Sequence, residues 1–245
     1  MAKPTEKVVR RYSVTEPVTE TRKVPIRENG EPLVDFLKAA PKVVQARPRF
    51  AYKRETLVRA TVAEMIRIAS ETIPTGYRLA VVEGWRPPHI QRRMYMTTWN
   101  RFKDRHPDWS DVQLRRVANR YTAPPNAATP PPHSTGGAVD FALLDPNGEE
   151  VNMMEPFTRL NPEAFSFDAT GLSENARRCR DILGNALSKA GLTNYPSEYW
   201  HWTYGDQGWA YRGHHPYALY GPTEPPGYRA PEEDDNDEPF VFLIQ

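Results

Sequence analysis

Proline is the residue type that most limits how this chain of 245 residues can fold. The sequence holds 25 prolines, about twice the usual share. Because proline has no backbone N–H group to donate, most of these residues must lie in loops and tails rather than in helices or central strands. Five prolines fall between residues 121 and 133, and we interpret that stretch as a loop.

Composition indicates a folded protein, since six Trp and twelve Tyr argue against a disordered chain. The net charge of +1 gives no global attraction to nucleic acid or to an anionic membrane, and we predict neither as a partner. We find no secretory signal and no stretch near the ~20 apolar residues of a membrane span. We therefore expect a soluble, cytoplasmic protein, or a periplasmic one if a leader has been removed.

Periodicity predicts a mixture of helices and strands without a strict strand–helix–strand repeat. We predict helices over residues 55–71, from Pro87 to about Arg105, from Ser110 onward, and from a cap at Ser173 to Gly191. We predict strands over residues 78–82, 138–144 and 199–204. This mixture favours an α+β fold with a small, mainly antiparallel sheet packed by helices.

The two ends of the chain differ in character from the part between them. Residues 1–48 are polar, and we expect an extended N-terminal arm. Residues 221–245 form a C-terminal tail with six acids in positions 232–238, which is typical of a solvated segment. A single compact domain is predicted between them, over residues 49–220.

A histidine and an aspartate stand out at the end of the proline-rich loop. His133 is followed by Gly136 and Gly137, and Asp140 lies inside the apolar run 138–144. In a strand, Asp140 shares one face with two alanines, so its carboxylate emerges in a small open space. A buried carboxylate needs a partner charge or a metal, and the glycines allow the loop to bring His133 towards it.

A second polar pair lies in an aromatic stretch near residue 200. Glu198 precedes His201 by three positions, with Tyr199 and Trp200 between them. In a regular strand the two side chains would point to opposite faces. They can converge only if residues 196–198 form a loop and the strand begins after it.

Together these residues predict a catalytic metal centre. His133, Asp140 and His201 provide two imidazoles and a carboxylate, the ligand set that zinc takes in catalytic sites, where a fourth position stays open for water. Glu198 is then free to act as a general base. Negative charge on the attacked carbonyl needs a fixed cation, and Arg86, in a rigid turn between a glycine and two prolines, is the candidate.

The segments His133-x-x-Gly136-x-Ala138-x-Asp140, Glu198-x-x-His201 and Gly84-Trp85-Arg86-Pro87 resemble the zinc D-alanyl-D-alanine dipeptidases, which include the vancomycin-resistance dipeptidase. The resemblance spans residues 49–212. It implies a fold related to zinc D,D-carboxypeptidases and hedgehog-like domains, and makes residues 49–220 a zinc peptidase domain. It implies one Zn²⁺ per chain held by His133, Asp140 and His201, Glu198 as base, Arg86 as stabiliser of the tetrahedral intermediate, and a D-Ala-D-Ala dipeptide as substrate.

Other interpretations stay open for the whole chain and for single residues. A related D,D-carboxypeptidase or endopeptidase would act on longer peptidoglycan peptides, and a catalytically silent domain would keep the metal for structure alone. Taken singly, Asp140 fits a turn cap, and Arg86 fits a salt bridge at a helix start. We expect four further histidines, at positions 89, 106, 214 and 215, to lie outside the metal site, and Cys179 to lie in the core.

Overall fold

The computed structural model describes residues 16–49, 52–119, 121–158 and 161–230. The acidic stretch 232–238 lies outside these residues. A five-stranded sheet has the order β2-β4-β5-β7-β6, in which every pair is antiparallel except β2 and β4. Its strands are β2 (Val44–Gln45), β4 (Arg78–Glu83), β5 (Ala138–Leu144), β6 (Thr193–Asn194) and β7 (His201–Thr203), and a separate antiparallel pair joins β1 (Leu33–Asp35) to β3 (Leu57–Arg59).

Seven α-helices and two 3₁₀ turns, counted over the described residues, surround these strands and confirm the predicted α+β class. The helices are α1 (Val18–Thr21), α2 (Phe36–Ala39), α3 (Ala60–Thr72), α4 (Pro88–Arg105), α5 (Asp111–Ala118), α6 (Glu174–Lys189) and α7 (Gln207–Arg212), and the 3₁₀ turns are Pro132–Thr135 and Pro162–Ala164. None of the described helices is long and apolar enough to cross a lipid bilayer.

Strand β5 lies at the centre of the sheet, and its alternating side chains separate the core from the site. Val139, Phe141 and Leu143 are fully buried on the core face. Helices α3 and α6 supply apolar side chains to the same core, including Ile66 and Leu183. The other face of β5 therefore remains for Asp140, as the strand periodicity predicts.

The helix termini follow their local signals. Ser110 caps α5 and forms a full capping box with Gln113, and the Ser173 side chain accepts a hydrogen bond from Ala176 N at the start of α6. Helix α4 begins at Pro88. Proline is well suited to this position, because the backbone N–H groups of a first helical turn have no partner within the helix.

Two predicted boundaries are wrong because contacts distant in the chain override local periodicity. Residues 57–59, predicted as helix, form strand β3 because they pair with Leu33–Asp35. The predicted strand 199–204 contracts to β7, His201–Thr203, because residues 196–200 are occupied by turns.

The N-terminal residues from 16 to 49 pack on the rest of the described chain. They contain β1, α2 and β2, and Phe36 at the start of α2 is fully buried in the main core. Ile26 also forms a parallel bridge with Ala218, close to the C-terminal end of the described chain.

Candidate metal centre

The 3₁₀ turn Pro132–Thr135 presents His133 to the centre of the site. Gly136 follows at φ +71°, a left-handed conformation that glycine adopts without strain, and it reverses the chain into β5. His133 Nδ1 lies 2.8 Å from Gly84 O. Because a carbonyl can only accept, this contact places the proton on Nδ1 and leaves Nε2 free to bind a metal.

His133, Asp140 and His201 come together although 68 residues of sequence separate the two histidines (201 − 133 = 68). Asp140 on β5 pairs directly with His201 on β7, which places the two side chains on one face of the sheet. Asp140 Oδ1 lies 2.9 Å from His201 Nδ1 and 3.4 Å from His133 Nε2. The three candidate ligand atoms all lie within 4.8 Å of one another.

Charge in this triad favours the ionised carboxylate. Burial alone would raise the pKa of Asp140, but the charges and hydrogen bonds of His133 and His201 outweigh burial and hold that pKa well below its usual range. Burial likewise disfavours a charged His201, yet Asp140 raises the pKa of this imidazole, with smaller contributions from Glu198 and Asp206. An ionised carboxylate between two imidazoles is a set of donor groups that suits a cation.

A tight turn brings Glu198 beside His201. His201 N donates to Glu198 O at 3.2 Å, and Asn194 Nδ2 donates to Glu198 O at 2.9 Å. Strand β7 begins at His201, so Glu198 lies outside the regular strand. The alternation of side chains between the two faces of a strand therefore does not apply to Glu198. This is the arrangement that convergence of the two side chains requires.

Glu198 lines a cavity of about 930 Å³ together with Arg86 and the three candidate ligands. The side chain is partly exposed, but it faces this cavity rather than bulk solvent. Burial raises the pKa of Glu198, the positive charges of His201 and His133 lower it, and Asp140 raises it further. The net upward shift is suited to a carboxylate that accepts a proton near neutral pH.

Arg86 is fixed from several directions at the end of β4. Its backbone N donates to His133 O at 3.1 Å, and its Nη1 donates to Gln91 Oε1 at 2.7 Å. Its Nη2 forms an ion pair with Glu83. A Cβ at Gly84 would lie 2.6 Å from Leu57 O, so glycine is required at the turn that carries Arg86.

Sequence reasoning missed Glu83 and Gln91, which hold Arg86 in place, and Tyr52, which bonds to Glu83. Glu83 is buried, pairs in register with Asp140 and accepts hydrogen bonds from both Arg86 and Tyr52. Gln91, on the first turn of α4, also donates to Ala123 O at 2.7 Å. The signal that could have found Glu83 is an acid at the end of an apolar strand, three residues before the arginine.

The donor set fits zinc. Two imidazoles and one carboxylate match the ligands of catalytic zinc sites, and their spacing allows one ion to contact all three. No second cluster of three such side chains occurs among the residues that the structure describes. His106 and His215 instead stack on Trp109 and Trp209, each with ring centroids 3.8 Å apart. Cys179 is fully buried on α6, as predicted.

Comparison with known proteins shows which proteins this chain is similar to. The sequence family Peptidase_M15, described as D-ala-D-ala dipeptidase, matches residues 43–218. A D-alanyl-D-alanine dipeptidase of Synechocystis sp. is 28% identical over 238 residues, which cover 82% of this chain and 95% of that protein. The solved LdcB LD-carboxypeptidase, described for its peptidoglycan recognition, is 19% identical with a TM-score of 0.40, and the match covers 74% of this chain and 71% of that one.

Proposed function

This chain belongs to the Peptidase_M15 family of D-Ala-D-Ala dipeptidases, and we propose that it is a zinc peptidase that hydrolyses D-Ala-D-Ala to two D-alanines. One observation carries the proposal: the three candidate ligands, Glu198 and Arg86 all line a single cavity. We further propose that residues 49–220 form the catalytic unit, since these five side chains fall within it.

In this proposal His133, Asp140 and His201 hold one Zn²⁺ per chain. The ion supplies Lewis acidity, which makes water a better nucleophile at neutral pH and polarises the scissile carbonyl. The hydrogen bond from His133 Nδ1 to Gly84 O orients that imidazole before the metal binds. Asp140 brings the negative charge that compensates the cation.

Glu198 and Arg86 supply the proton transfer and the charge stabilisation. Glu198 accepts a proton from the attacking water and returns it to the leaving amine of the second alanine. Arg86 stabilises the negative charge that develops on the carbonyl oxygen. Its ion pair with Glu83 and its bond to Gln91 fix the guanidinium in advance, so little reorganisation accompanies the reaction.

The size of the cavity supports a second candidate. A volume of about 930 Å³ lies at the upper end of the range for ligand pockets, roughly 300–1,000 Å³, whereas D-Ala-D-Ala has few atoms. A D,D-carboxypeptidase that acts on longer peptides ending in D-Ala-D-Ala would fill more of this space.

The first prediction tests the metal and the substrate together. Chelator-treated protein should not hydrolyse D-Ala-D-Ala, and one equivalent of Zn²⁺ should restore turnover. His133→Ala should lose stoichiometric zinc, whereas His215→Ala, an exposed residue outside the cavity, should retain it. Turnover is compared for D-Ala-D-Ala, L-Ala-L-Ala and longer peptides ending in D-Ala-D-Ala. Full hydrolysis without metal would contradict the proposal, and activity confined to the longer peptides would favour the carboxypeptidase.

A further inference from the structure

Helices α4 and α5 form a hairpin, residues 88–118, of which the proposed reaction uses only the first turn. The buried residues of α4 are Ile90, Gln91 and Tyr95, all in its first half. Beyond Tyr95, α4 packs against α5, and Phe102 stacks on Trp109 with ring centroids 6.5 Å apart. The second half of α4 therefore keeps a side that faces solvent.

This α4–α5 hairpin is basic. It contains seven Lys or Arg residues against three Asp. Five of the bases are exposed and take part in none of the ion pairs between described residues, and these are Arg92, Lys103, Arg105, Arg115 and Arg116. A surface with this excess of one charge attracts an anionic partner.

The same surface also exposes apolar side chains. Met96 on α4 is 39% exposed, Val112 on α5 is 77% exposed, and Tyr121, just after α5, is 54% exposed. Large apolar side chains gain free energy when a partner removes them from water. The α4–α5 hairpin therefore suits a partner that is both acidic and apolar.

The chain itself contains a segment of this composition. Residues 232–238 hold six acids, and residues 240–244 are five consecutive apolar residues, Phe-Val-Phe-Leu-Ile. The acids alone would suit a solvated tail, but an apolar run of this length is unfavourable in water. The two halves of the segment match the two features of the α4–α5 hairpin.

Tyr228 places the start of this segment beside α4. Its ring packs edge-on against Trp85, with centroids 5.0 Å apart, and lies nearly parallel to the ring of His89 at 6.3 Å. His89 belongs to the first turn of α4. One side of the helix then continues at spacings of four and three residues through Arg93, Met96, Asn100 and Lys103.

The length of the segment matches the length of the helix. Residues 231–238 span at most about 29 Å when extended, and the 18 residues of α4 are about 27 Å long. The acids can therefore reach every base on α4. The apolar run that follows can reach the far end of the hairpin, where α5 begins beside Val112.

We infer that residues 232–244 bind along the α4–α5 hairpin of the same chain, with the acids on its bases and the apolar run against its exposed apolar side chains. This contact replaces the solvated tail that the acidic composition predicts. The inference does not depend on the proposed function, because it uses no candidate ligand, base or carbonyl stabiliser.

The test is zero-length carbodiimide cross-linking of the full-length protein, which joins a lysine to a carboxylate only when the two touch. Lys103 should be the main lysine linked to residues 232–238 when the peptides are identified by mass spectrometry. Lys189, exposed on the last turn of α6, is the internal reference and should give at least fivefold less product. The Lys103 product should fall in 1 M NaCl, where screening acts within about 3 Å.

Two variants separate the charged half of the contact from the apolar half, and both keep Lys103. Arg92→Glu should lower the Lys103 product at least threefold, whereas Arg178→Glu, an exposed change on α6, should leave it unchanged. Phe242→Ser should also lower it at least threefold, a loss that attraction between charges alone would not give. Thermal unfolding of each variant shows that the fold is retained.

Three results would overturn the inference. Similar yields at Lys103 and Lys189 would mean that the segment is solvated. Dominant links to Lys3 or Lys7 would mean that it pairs with the N-terminal residues instead. Links found only between ¹⁴N- and ¹⁵N-labelled copies in a mixed sample would make a second molecule the partner.

Discussion

Glu198 depends for its proposed role on both its turn and its surroundings. The turn places it beside His201, and burial in the cavity raises the pKa of its carboxyl above the ordinary value. A base acts in its deprotonated form, so activity is present above this raised pKa and falls as the pH drops through it. The acid limb of kcat/KM should therefore lie higher than an exposed glutamate would give.

We expect Glu198→Gln and Glu198→Ala to retain one equivalent of Zn²⁺ and to lose turnover by about 10²- to 10⁴-fold, the usual contribution of a general base. The residual activity should lack the acid limb, because the titrating group is absent. Zinc content by metal analysis and a pH profile of kcat/KM check both parts. Unchanged hydrolysis in either variant would refute the assignment of the base.

At the residue scale, the sequence could predict the residues that carry the proposed chemistry, but not the residues that hold them in position. His133, Asp140, Glu198 and His201 stand out because each breaks an apolar or glycine-rich context, and the structure brings their side chains to one cavity. Glu83 was missed because its importance arises only when β4 pairs with β5 and places it opposite Asp140.

At the scale of elements, the segments 153–158 and 161–167 are fixed to helix α6 by a buried cation. Arg180 is fully buried and donates to four backbone carbonyls of these segments, those of Met153, Ala164, Ser166 and Phe167. Its guanidinium also lies 4.1 Å from the ring centroid of Tyr199, the neighbour of Glu198. Burial lowers the pKa of Arg180 to about 10, so the side chain remains charged at neutral pH.

Arg180→Ala should lower the free energy of unfolding by about 2–4 kcal/mol, because it leaves several buried carbonyls without donors. Arg180→Lys should recover part of this loss, since lysine keeps the charge but not the planar set of donors. Arg178→Ala, an exposed position on the same helix, should change stability by no more than about 0.5 kcal/mol. Urea unfolding of the three variants measures these differences, and similar values for Arg180→Ala and Arg178→Ala would contradict the role.

The elements that sequence reasoning predicted well are those with a strong local signal. The bounds of β5 match the predicted strand 138–144, because its alternation and the turn after it are both local. Helix α6 likewise follows its serine cap. The predicted start of α3 was wrong because β3 forms only by pairing with β1. The paired residues, such as Leu33 and Arg59, lie far apart in the sequence, so no local pattern shows this pairing.

At the scale of the whole molecule, the N-terminal segment is connected to the metal site through Arg59. Glu28 pairs with both terminal nitrogens of this buried arginine at 3.0 Å. Arg59 Nε donates to Thr135 O at 2.8 Å, and its backbone N donates to Gly136 O at 3.0 Å. Thr135 ends the turn that carries His133 and Gly136 directly follows it, so the segment supports the position of that ligand.

Deleting residues 1–31 should therefore lower the unfolding midpoint and weaken Zn²⁺ binding at least tenfold, although the segment contains no proposed ligand. The physical reason is that Arg59 would lose its carboxylate partner, and a buried cation without a partner would displace the loop after His133. Glu28→Gln should reproduce part of the effect. Glu20→Gln, which breaks an exposed ion pair with Lys23 in the same segment, should have little effect on either quantity. Thermal unfolding and zinc titration of the four proteins decide the matter: a truncated chain with wild-type midpoint and zinc affinity would mean that the segment lies on the catalytic unit without supporting it.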